Sequence, residues 1–114
     1  MMTERQARRS LVKITRRIWR EGRHAVGRAY VDQVRYNAQA RHAEGSIYAT
    51  ETAVALVLTA MSQDKWNLQQ RQLSADLARI YHNRRRRYIA VVRASKTGIT
   101  HRELWTTFFQ ESTQ

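Results

Sequence analysis

Arg9, Lys13, Arg16, Arg20 and Arg23 recur at intervals of four, three, four and three residues, and Arg84, Arg85, Arg86 and Arg87 form an unbroken row. Cationic groups at such spacing do one kind of chemistry well, which is to hold a series of anions. Residues three or four apart share one side of a helix, and at about 1.5 Å per residue the first set spans about 21 Å. The phosphates of a nucleic-acid strand present such a line of charge, and Lys and Arg that neutralise them release condensed counterions. A solvated helix face normally mixes signs, whereas this one is accompanied only by Glu4 and Glu21. Four consecutive Arg repel one another within a helix unless something anionic compensates. Arg93, Lys96 and Arg102 extend the second set, and Tyr88 beside the Arg row offers a ring on which a base can stack. Trp19 and Tyr81 also neighbour cations, but Trp19 shares an apolar stripe with Val12, Val26 and Tyr30 and is assigned to the core.

Other chemistries are poorly represented. His24, His42, His82 and His101 are scattered, with no pair or nearby acid at metal-ligand spacing. His24 and His101 adjoin Arg and His82 lies two residues before Arg84, which suits phosphate contact; His42 reads as a solvated residue at a helix end. The sequence holds no Cys, no Gly-rich phosphate loop and no nucleophile elbow, and Asp32, Asp64 and Asp76 show no paired-carboxylate spacing. Neither an enzyme, a metal site nor a cofactor is expected.

A formal charge of +12 over 114 residues strengthens the anion-binding reading. Self-repulsion of that size disfavours a compact monomer unless an anionic partner offsets it. The charge is also unevenly placed. Residues 5–41 contain eleven Lys and Arg against Glu21 and Asp32, and residues 79–102 contain eight and no acid. Residues 42–78 between them carry a net charge of −2. The N-terminal stretch alternates Arg with apolar residues instead of building a signal-peptide core. The longest apolar run is about half of what a bilayer requires. A single cytoplasmic domain over residues 1–114 is expected.

These cations need helices to carry them. Pro is absent and helix-compatible residues dominate, so the expected fold is an all-α bundle of four to five helices. Thr3 and Gln6 form a capping-box pattern for a first helix, whose apolar stripe is Leu11, Ile14, Ile18, Ala25 and Ala29. Gly22 and Gly27 are the points where it bends or divides, and the pattern continues toward Ala43. Gly45 and Ser46 punctuate the next boundary. Ala53–Met61 is apolar all round, so a fully buried central helix over about 47–63 is expected. Asp64 offers a cap for a third helix with the stripe Trp66, Leu73, Leu77, Ile80/Tyr81, Tyr88 and Val91/Val92. That stripe puts Arg84 on the core side, so the chain is expected either to turn at His82–Asn83 or to project beyond the body. Residues 88–92 also have strand character. Thr100 and Glu103 make a capping box for a last helix, on which Trp105, Phe108 and Phe109 would dock against the core or another subunit.

One pattern competes with this reading. Ala94, Gly98, Ile99 and Leu104 have the spacing of a helix-turn-helix within residues 90–112, which would turn His101, Arg102 and Thr106 toward duplex DNA. Arg93, Thr97 and Thr107 occupy positions that normally face the core of that motif. A third class is an inhibitor or adaptor whose basic faces bind an acidic protein. The favoured expectation is a non-enzymatic accessory subunit of a larger nucleoprotein complex. It would contact the backbone of RNA or single-stranded DNA, in preference to duplex, without strong sequence specificity. Its expected partners are nucleic acid and the complex's other protein subunits, with assembly of copies along the strand as a further option and no membrane contact. In size and charge the chain is similar to the small helical subunits of CRISPR effector complexes and to the basic bundles that assist reverse transcriptases.

Overall fold

The structure is a computed structural model and describes residues 2–42 and 47–95. Among these residues four helices form: α1 (Glu4–Val26), α2 (Arg28–Arg41), α3 (Ile47–Ser62) and α4 (Leu68–Ser95). The all-α expectation holds. The strand character of residues 88–92 does not survive, because they continue α4 and bury Tyr88 and Val92 on its inner face. The chain neither turns at His82–Asn83 nor leaves the body there. α4 passes through that point unbroken and packs along α1 on one side and α3 on the other.

α1 begins as its capping box requires. Thr3 Oγ1 accepts from the Gln6 backbone N–H at 3.2 Å, and Gln6 Oε1 accepts from the Thr3 N–H at 2.9 Å. The helix ends at Gly27, where φ is +97° and ψ 145°. A side chain rarely adopts that conformation, and it lets α2 start at the very next residue, folded back along α1. The reversal is held by Arg23 and Asp32 at 3.2 Å and by the Arg35 guanidinium, 4.7 Å from the Trp19 ring centroid. Burial lowers the pKa of Arg35 and repulsion from Arg23 adds to this, while Asp32 opposes both. Because the chain reverses here, Ala29 and Tyr30 do not continue the stripe of α1 and are exposed.

Gly22 has the other role a glycine can play. It stays helical and buried, and a Cβ placed on it would lie 2.5 Å from Val57 Cγ1. α1 and α3 therefore pack closely enough at this level that only a hydrogen fits. α3 is the central helix in one sense, since it touches α1, α2 and α4. It is not buried all round. Ala53, Val54, Val57, Leu58 and Met61 face the core, whereas Ala55, Leu56 and Thr59 are exposed. In a four-helix arrangement each helix keeps one outer side, and apolar composition alone cannot remove it.

The start of α4 also differs from expectation. Asn67, not Asp64, caps it: Asn67 Oδ1 accepts from the Gln70 N–H at 3.0 Å. Asp64 Oδ1 accepts from the Trp66 N–H at 3.0 Å, closing a local Asx turn. Trp66 therefore precedes the helix and is 87 % exposed, outside the stripe to which its sequence position assigned it. Leu77, Tyr81, Tyr88 and Val92 form that stripe, and Ser74 joins it by donating its hydroxyl to the Leu58 carbonyl at 2.7 Å. No helix among the described residues is long and apolar enough to cross a membrane.

Candidate functional site

The apolar stripe of α1, Ala7, Leu11, Ile14, Ile18 and Gly22, is buried against α3 and α4. The opposite side of the same helix must then face outward, and it carries Arg9, Lys13, Arg16, Arg17 and Arg20, all exposed. Their side chains, together with Arg84 from α4, wall an open cleft of about 890 Å³ floored by Val12 and Ile14. Among the described residues, six cations and no carboxylate line it. The summed potential of such a concave, single-sign lining favours multivalent anions over isolated ones.

Arg84 joins the two cationic arms. Its Nη1 donates to the Ser10 carbonyl at 3.1 Å, which lays the guanidinium across from α4 onto α1. The stripe does carry Arg84 to the inner side, but without the turn or projection expected from it: a carbonyl of α1 is its partner. The remaining Arg of the row divide by helical geometry, since successive residues step about 100° around the axis. Arg85 turns toward α3 and pairs with Glu51. Arg86 and Arg87 are exposed, with Arg87, three residues beyond Arg84, on the same side of α4.

Of the residues singled out from the sequence, Arg9, Lys13, Arg16, Arg20 and Arg84 come together in the cleft. Arg23 does not join them, because Asp32 holds it at the α1–α2 reversal. Arg85 is likewise committed to a carboxylate inside the fold. Tyr88 is 2 % exposed, so its ring has no face free for a base; it packs in the core because it lies seven residues beyond Tyr81 on the inner stripe. Arg93 is exposed on the last turn of α4. Lys96 and Arg102 lie outside the described residues, as do most of the helix-turn-helix pattern and the Trp105, Phe108, Phe109 set. His42 is half-buried rather than solvated, with Nε2 3.4 Å from Thr52 Oγ1.

Two residues of interest escaped the sequence reading. Arg17 belongs to the cleft, and its position four residues after Lys13 and three before Arg20 was a usable signal. Trp66 was hidden because its spacing to Leu73 fits a helical stripe. No family model, no curated protein and no solved structure matches this chain.

Proposed function

We propose that this chain is a non-enzymatic nucleic-acid-binding subunit that holds RNA or single-stranded DNA by its phosphates, as an accessory component of a larger nucleoprotein complex. The observation that carries the reading is the cleft over α1, which among the described residues is lined by six cations and no carboxylate. Backbone contacts of this kind position a strand without reading its sequence. The excess charge of +12 then has a use, because a bound strand neutralises what the fold alone must tolerate. Binding along a strand leaves the rest of the surface for other subunits of the complex.

Fluorescence anisotropy with scrambled 20-nucleotide strands at two salt concentrations tests it. The expected result is similar affinity for unrelated sequences, with log K falling against log salt at a slope of about −3 to −6, since each of ~4–8 phosphates contributes about −0.7. Absent or salt-insensitive binding overturns the proposal. A preference of ~10³ or more for one duplex sequence, eroded by Arg102→Ala, would instead identify a helix-turn-helix regulator.

A further inference from the structure

We infer that Trp66 is a base-stacking residue, so that the strand bound by this chain is single-stranded over the α3–α4 turn, with phosphates on the α1 cations and a base on the indole. The inference rests on the phosphate-binding reading of the α1 cleft and adds to it a second kind of contact and a preference among nucleic acids.

Trp66 leaves nearly its whole ring in water at 87 % exposure, yet its backbone is firmly placed. The Asp64 carboxylate accepts its N–H, and the Asn67 side chain caps the helix that follows. Gln70 Nε2 reaches back to the Met61 carbonyl at 2.9 Å, tying α4 to the end of α3. A large ring held outward on an ordered turn loses little further freedom when something stacks on it.

The surroundings select the occupant. Lys65 Nζ lies 5.9 Å from the ring centroid; Gln63, Asp64, Gln69 and Arg71 are exposed nearby in the chain, and the Asp64 carboxylate is turned to the Trp66 backbone N–H. Leu68 is the one exposed large apolar neighbour along this stretch. A protein partner needs a broader apolar centre with a polar rim, whereas one flat ring beside cations suits a planar base attached to a phosphate. The placement agrees. Glu21, His24 and Ala25 of α1 line a crevice with Asn67, Gln69, Gln70 and Leu73, so the turn stands where the cationic side of α1 ends. Arg20, the last cation of the cleft, lies four residues before His24 and so on the same side of α1. In a duplex the base faces are stacked on one another and unavailable to the ring.

The experiment compares the full chain with Trp66→Ala and Trp66→Phe for binding to a dT20 strand, a 20-bp duplex and heparin, a polyanion without bases. Trp66→Ala should weaken dT20 binding by about 5- to 150-fold, the range for one stacked base. Its salt slope, heparin affinity, duplex affinity and melting temperature should match those of the parent, and Trp66→Phe should recover part of the loss. Unchanged dT20 affinity in Trp66→Ala overturns the inference, as does an equal loss on heparin. If the parent chain binds neither dT20 nor heparin, the cleft reading itself fails. If it binds both and Trp66→Ala alters neither, only the stacking inference falls.

Discussion

The Arg84 guanidinium of α4 donates to the Ser10 carbonyl of α1 at 3.1 Å, joining two residues that lie 74 positions apart in the chain. The contact lies where the packing of α1 on α4 sets the C-terminal cationic arm at the edge of the N-terminal one. It also means that the four consecutive Arg do not act as a unit, which gives them separable consequences.

Arg86→Gln with Arg87→Gln should weaken strand binding and leave the unfolding midpoint in urea unchanged, because both side chains are exposed. Arg84→Gln and Arg85→Gln should each lower stability, by about 1–3 kcal/mol, since each removes a charged hydrogen bond from a partly buried partner. Arg84→Gln should in addition weaken binding, whereas Arg85→Gln, once refolded, should bind nearly as the parent does. Equal destabilisation across all four positions would contradict this division.

Gly22→Ala should destabilise the fold although Ala is the better helix former. The added methyl meets Val57 Cγ1 at 2.5 Å and Val31 Cγ2 at 3.3 Å, and a β-branched Val in a helix has essentially one rotamer available. The expected cost is about 1–3 kcal/mol of overpacking, partly offset by about 1 kcal/mol of helix propensity. Adding Val57→Ala should relieve the clash, so the double variant should be more stable than the sum of the single losses implies. Additive losses in a double-mutant cycle would place the cause elsewhere.

Gly27→Ala tests a different mechanism. Among the described residues, no atom other than those of its chain neighbours lies within 4 Å of a Cβ placed there, so space is not the obstacle; the φ of +97° is. A loss of about 1–3 kcal/mol is expected from backbone strain alone, and no second substitution in a neighbouring side chain should recover it. Denaturant unfolding of the single variant, and of its combination with Val57→Ala, provides the check.

Tyr81 supplies a pH dependence. Its phenol is buried, and desolvation of the phenolate pushes the pKa up; the charge of Glu51 adds to this and that of Arg85 opposes it. The folded state therefore retains a proton that the unfolded chain releases near pH 10. Stability is fully present below that pH and falls as pH rises above it. Tyr81→Phe should flatten the decline between about pH 10 and 11.5. At neutral pH it should cost little, because among the described residues the hydroxyl has no hydrogen-bond partner. Identical alkaline unfolding of both proteins would remove Tyr81 as the cause.

Much of this protein is written in local sequence. The capping box of Thr3 and Gln6, the stripe from Leu11 to Ile18 and the cationic ridge from Arg9 to Arg20 all follow from helical period, which depends only on residues a few positions apart. That α1 buries one side and presents the other follows with them, and Arg84 on the inner stripe was equally legible. What the sequence could not decide is which partner each inner or outer position meets. Trp66 and Tyr88 both fit one periodic stripe, yet an Asx turn at Asp64 and a cap at Asn67 start α4 later and put Trp66 outside it, while Tyr88 is buried. Arg85 and Arg23 read as binding cations until Glu51 and Asp32, distant or across a reversal, are brought beside them. α3 looked buried on every side because composition reports hydrophobicity and not the number of neighbours. Periodicity fixes the side of a helix on which a residue lies; only packing, which joins residues far apart in the chain, fixes what stands opposite it.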